Sequence, residues 1–196
     1  MTRDEAKRII AAVSILVILA WIFLGLISYG PLLQDSEFDE AMKWAESIGI
    51  SPESIQEKPF GFITRVDSAK WYVAFAQSSD MLLYTDDICR FNDIDQLEKE
   101  DFDIVMLSCM YRFFRWSQWG YYPDSYLTKA GSLVALMKWF FPTKDFETTE
   151  PYREPFVNKA HAMKITKRES DPYMMYLITR YELLLQLYRA YEWKNQ

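Results

Sequence analysis

The chain holds one histidine, His161, and two cysteines, Cys89 and Cys109. His161 sits in KAHAMK between alanines, with no Ser or Cys nucleophile motif near it. A triad would have to assemble entirely through space, so this histidine reads as structural or exposed. Asn92-Asp93-Ile94-Asp95 resembles the opening of a calcium loop. Such a loop needs a ligand at its fifth place, Gly at the sixth and Glu at the twelfth. Counted from Asp93, the fifth and sixth residues are Leu97 and Glu98, and the match fails. Carboxylate pairs are plentiful: Asp86/Asp87, Glu100/Asp101, Glu147/Glu150. Two carboxylates about 5–10 Å apart suit glycoside hydrolysis. With 28 acids in the chain, chance alone supplies such a pair. There is no Gly-rich phosphate loop, HExxH, GxSxG or CxxC. No metal or cofactor is expected. The cysteine spacing fits no metal pattern, but in an exported body Cys89 and Cys109 could form one disulfide.

The densest run of recognition-type side chains is aromatic: Tyr111, Phe113, Phe114, Trp116, Trp119, Tyr121, Tyr122 and Tyr126. WSQWGYY lies at a predicted helix end, where not every ring can point inward. Exposed Trp and Tyr serve as anchors at protein interfaces and membrane boundaries. The candidate partner-binding residues are therefore Trp116, Trp119, Tyr121 and Tyr122, set against plain core packing.

These residues are positioned by a chain organised around Ile9 to Ser28, twenty positions without a charge. At about 1.5 Å rise per residue this run makes a helix of roughly 30 Å, the hydrocarbon thickness of a bilayer. A secretory signal has a shorter apolar region of about 7–15 residues and a small-x-small cleavage site. Here the nearest such site, Ser28-Tyr29-Gly30, runs into Pro31. The run reads as an uncleaved anchor. Arg3, Lys7 and Arg8 precede it, whereas residues 29–42 contain no Lys or Arg. Basic flanks stay cytoplasmic. The expected organisation is a cytoplasmic N-terminus over 1–8, a transmembrane helix over 9–28, and one exported domain over 29–196.

That domain is long enough for a proper core. Its charge is uneven: residues 35–103 carry net −11 and residues 104–196 net +4, within an overall −6. Nucleic acid needs a concentrated basic face and is excluded as a partner. The spacing predicts a mainly α fold. Helices are expected over 37–48, briefly after Ser51-Pro52, over 68–77 with Asp67 as cap, over 95–118, from Pro123 to Phe141, over 156–165, and from Asp171-Pro172 to near the C-terminus. FGFITRV and KWYVAFA also suit a small β-hairpin near 60–76. No internal repeat is evident along the chain.

The expected function is non-catalytic: a bitopic, single-pass membrane protein with a helical periplasmic or extracellular domain. It would act by protein–protein contact as an accessory or assembly subunit of an envelope complex. The alternative is a membrane-anchored cell-wall enzyme using a carboxylate pair on glycan.

Overall fold

The computed structural model describes residues 36–79, 89–114, 120–141, 154–166 and 175–196. The apolar run 9–28 lies outside them, and among the described residues no helix is long and apolar enough to cross a membrane. The chain divides into two compact units, 1–40 and 41–196. Of the first, only residues 36–40 are described, the opening turns of a helix with Glu37 and Asp39 at its start.

The fold is mainly helical. Among the described residues the helices are α1 (Ser36–Ser47), α2 (Pro52–Gln56), α3 (Arg65–Ser78), α4 (Lys99–Met110), α5 (Lys129–Phe140), α6 (Glu154–Ala162) and α7 (Arg180–Lys194). The helical reading of 68–77 is correct in type, but α3 begins earlier, at Arg65. Its cap is Thr64, whose hydroxyl oxygen accepts the N–H of Asp67. The β-hairpin over 60–76 does not form. Residues 62–64 instead make a short extended segment that bridges to two distant stretches, 126–128 and 177–179.

These three segments close on each other. Phe62 pairs with Thr179, Thr64 with Tyr126, and Thr128 with Leu177, all antiparallel. The middle residues make a cycle of backbone hydrogen bonds. Leu127 N–H donates to the Ile63 carbonyl (3.0 Å), Ile178 N–H to that of Leu127 (2.9 Å), and Ile63 N–H to that of Ile178 (3.3 Å). A second cycle lies outside it: Arg65 to Ser125 (2.9 Å), Lys129 to Tyr176 (2.9 Å) and Arg180 to Gly61 (3.0 Å). Closing the ring satisfies backbone groups that a solitary three-residue strand would leave to water.

Each segment ends in a capping threonine. Thr64, Thr128 and Thr179 accept from the N–H three residues on, at Asp67, Gly131 and Glu182. Thr179 and Glu182 form a full capping box. So α3, α5 and α7 all start at one pole of the domain, each with Thr followed by a base.

A second feature also recurs three times. The helices α1, α4 and α6 end with a residue at positive φ: Gly49 (85°), Arg112 (70°) and Lys164 (58°). The following apolar residue donates back five residues, Ile50 to Ala45 (2.9 Å), Phe113 to Ser108 (3.0 Å) and Ile165 to Ala160 (3.0 Å). This is the Schellman arrangement, which satisfies the carbonyls left over at a helix end. All six of these residues are buried, the acceptors being small where the chain turns inward.

Among the described residues one order of elements therefore recurs three times: helix, left-handed stop, bridged segment, threonine-capped helix. This overturns the expectation of no internal repeat. It also moves three helix boundaries. α4 stops at Met110 because Arg112 leaves helical geometry, and residues 115–119 lie outside the described residues. Pro123 and Asp124 form a turn, and α5 starts six residues later at Lys129. The proposed start at Asp171-Pro172 also lies outside the described residues, and α7 begins at Arg180.

Packing follows the repeat. α3 packs on α4 and α5 on α6, so the second helix of one unit lies against the first helix of the next. The ring of contacts closes through Trp44 of α1, whose indole meets Tyr188 (5.8 Å) and Tyr191 (5.4 Å) of α7. Most of the described aromatic residues are buried. Trp139 is fully buried, with Phe75 5.0 Å away edge-on and Phe113 stacked at 5.8 Å. Tyr72 stacks on Phe113 at 4.8 Å and donates its hydroxyl to the Ser132 carbonyl (3.2 Å).

Candidate functional site

Of the four aromatic residues expected to bind a partner, Trp116 and Trp119 lie outside the described residues. Tyr121 is completely buried, which removes it from any contact surface. Three contacts hold it in. Gly120, at φ +102°, turns the chain so closely over Asp93 that an added Cβ would lie 2.6 Å from a carboxylate oxygen. Both carboxylate oxygens of Asp93 then accept backbone N–H groups, from Tyr121 (2.7 Å) and Tyr122 (2.6 Å). The ring of Tyr121 inserts between Phe91 and Phe114, and its hydroxyl donates to the Arg65 carbonyl (2.8 Å). Burial pushes its phenol well above the ordinary range, against the pull of Arg65. Of the two described members of the set Tyr122 is the exposed one, and it takes a left-handed backbone with φ 55°.

Asp93 thus works as a structural clamp on the 120–122 turn. Among the described residues, no group of three or more His, Cys, Asp or Glu could hold a metal ion.

Among the described residues, four of the seven large exposed apolar side chains lie on or just before the three bridged segments. Phe62, Tyr126, Met175 and Tyr176 are 46%, 53%, 56% and 57% exposed. They come from stretches up to 114 residues apart in sequence, yet all belong to the ring of bridged segments or the residues leading into it. The ring explains the orientation of Phe62 and Tyr126. Its middle residues, Ile63, Leu127 and Ile178, face the core and are buried. Side chains alternate along an extended chain, so Phe62 and Tyr126, which precede the buried Ile63 and Leu127, face outward. The rings of Phe62 and Tyr126 meet edge-on at 5.9 Å. The result is an aromatic platform at the pole where α3, α5 and α7 start.

Around this platform stand Arg65, Lys129 and Arg180, the bases that follow the three threonines. Lys129 Nζ lies 2.6 Å from Glu182 Oε1, and Arg180 lies 3.8 Å from Asp67. The guanidinium of Arg65 lies over the rings of Tyr121 (4.9 Å) and Phe114 (5.5 Å). Burial lowers its pKa, opposed mainly by Tyr121 and Asp93. The charge remains, held by cation–π contact.

A cleft of about 600 Å³ runs beside this region, lined by Asp93, Glu98, Asp101, Tyr122 and Asp124 among others. Two of its acids are engaged: Asp93 clamps the turn, and Asp101 pairs with Lys70 at 2.8 Å. His161 is exposed on α6. Asp86, Asp87, Glu147 and Glu150 lie outside the described residues.

No protein-family model, curated protein or solved structure matches this chain. The signal that could have located the platform is a short pattern repeated three times: Ile63-Thr64-Arg65, Leu127-Thr128-Lys129 and Ile178-Thr179-Arg180.

Proposed function

We propose that the chain is a bitopic membrane protein that works by contact, as an accessory or assembly subunit of an envelope complex. Residues 9–28 would be its transmembrane helix, with the N-terminus cytoplasmic and the helical domain outside, in a periplasm or extracellular space. The apolar run and its basic flank support the anchor and its orientation. The observation that carries the contact role is the aromatic platform of Phe62, Tyr126, Met175 and Tyr176. Scattered exposed apolar residues are ordinary, but a cluster built from distant stretches of chain marks an interaction surface. Of the 116–122 run, Tyr121 is buried and drops out of the expected binding face.

The test is the full chain purified in mild detergent, native and with Tyr126→Ala and Tyr176→Ala combined. Exposed rings contribute little to folding, so the variant should stay helical with a nearly unchanged melting point. Loss of one interface anchor typically costs about 2 kcal/mol, on the order of thirtyfold in affinity, so a partner held by the native chain should be lost. A folded variant that keeps every partner would overturn the surface. An export-dependent reporter fused after Gln196 checks the orientation: it should be active, and a reporter active only in the cytoplasm would reverse it.

A further inference from the structure

The threefold repeat is broken at one functional position. In two of the three units, the base after the threonine reaches the acid at the third residue of the next helix: Lys129 to Glu182 and Arg180 to Asp67. The second contact is longer, and its acid is shorter by one methylene. By the same rule Arg65 should meet the third residue of α5. That residue is Gly131, which has no side chain. The backbone frame is intact, since Arg65 N–H donates to Ser125 as Lys129 donates to Tyr176 and Arg180 to Gly61. Only the carboxylate is missing from the sequence.

Arg65 shows the consequence. Its Nε is buried without a hydrogen-bond acceptor among the described residues. Its guanidinium rests on Tyr121 and Phe114. Asp93, an acid that acts on it electrostatically, has both oxygens committed to backbone N–H groups. Arg65 is partly buried with its Nε turned away from solvent, and a guanidinium is shaped to take a planar carboxylate through two parallel hydrogen bonds. Tyr126, paired with Thr64 across the ring, is exposed next to this position.

We propose that the place opposite Arg65 and above Gly131 is a binding site for a carboxylate supplied from outside the chain, carried on an apolar or aromatic group. The two other units show the geometry such a carboxylate would adopt. The floor of Phe114 and Tyr121 and the neighbouring Tyr126 favour an aromatic acid over a small hydrated one. The source is either a free organic acid or an acidic side chain of a docked protein. The carboxylate site itself does not rest on the contact role proposed above.

The probe is benzoate, titrated into the full chain in mild detergent at constant ionic strength with chloride as balance. Benzoate should raise the melting point of the native chain by about 5–10 °C at a hundredfold excess over its Kd. Gly131→Glu supplies the carboxylate within the chain. It should melt higher than Gly131→Gln without benzoate, and it should no longer respond to benzoate. Gly131→Gln is the control for bulk: either side chain crowds Thr128 Oγ (3.0 Å) and Leu127 (3.3 Å) equally. Arg65→Gln should abolish the response. If that variant does not fold, the Glu and Gln pair at 131 still decides the matter. A native chain indifferent to benzoate, or equal responses from the native chain and Gly131→Glu, would overturn the site. Partner retention by Gly131→Glu separates the sources: a lost partner assigns the carboxylate to a protein side chain. A retained partner with a lost benzoate response assigns it to a free acid. If no partner is ever captured, the contact role fails while the benzoate result stands.

Discussion

Trp139→Ala is expected to cost the domain about 3–5 kcal/mol, the usual range for truncating a large buried aromatic residue. Whole domains are stable by only about 5–15 kcal/mol, so this one change should consume much of the margin. The reason is position. Trp139 lies in α5, the first helix of the pair α5–α6, and its indole touches Phe75 of α3, Phe113 after α4 and Phe140 of its own helix. Removing it opens a cavity where units of the repeat meet, and three surrounding rings cannot all relax into it. Trp139→Phe should cost far less than half as much. The indole Nε1 is buried with no acceptor among the described residues, so a phenyl ring loses some packing but also removes this donor. Denaturant titration of both variants checks this. A cost below about 1 kcal/mol for the alanine variant would mean that the core is not centred on this residue.

Helix content was readable from spacing because each helix buries an apolar stripe, and such stripes survive without knowledge of the neighbours. Helix starts were not. The stops and starts expected at Asp67, Pro123 and Asp171-Pro172 are sound local signals, but the threonine caps win at 64, 128 and 179. A cap preceded by a three-residue segment that pairs with distant chain has no local periodicity to announce it. The repeat was hidden for a related reason. Equivalent core positions carry very different volumes, such as Phe75, Trp139 and Ala190, or Ala69, Leu133 and Leu184, and all of these are buried. The units complement one another in size, so similarity between them is lost except where backbone geometry is constrained: the threonine caps and the small residues Ala45, Ser108 and Ala160. Aromatic density does not report exposure. Tyr121 is adjacent to the exposed Tyr122 yet fully buried, and the difference is made by Asp93, 28 residues away in sequence. The platform that is exposed draws on Phe62, Tyr126 and Tyr176, which no window of sequence contains.

Reduction of the Cys89–Cys109 disulfide should lower stability by about 3 kcal/mol, the entropic value for a closed loop of this order. The bond links residues separated by 20 positions, and Cys109 is buried on α4. For a domain of this size the loss corresponds to a fall in melting point of about 6–12 °C. The effect should extend beyond the loop. Cys89 anchors the stretch that carries Phe91 and Asp93, and those two residues hold the 120–122 turn and the ring of Tyr121. Tyr121 in turn underlies Arg65. Loosening the bond should therefore weaken Trp139 packing little and the Arg65 site strongly. A benzoate response that falls on reduction, measured below the lowered melting point, would report that coupling. The bond also bears on where the domain resides, because cytosolic thiols are kept reduced. Full-length chain, denatured without reductant and treated with a thiol-alkylating reagent, should show no reactive thiol. Two reactive thiols in chain taken directly from its native membrane would remove the bond, and with it a main support for an exported domain.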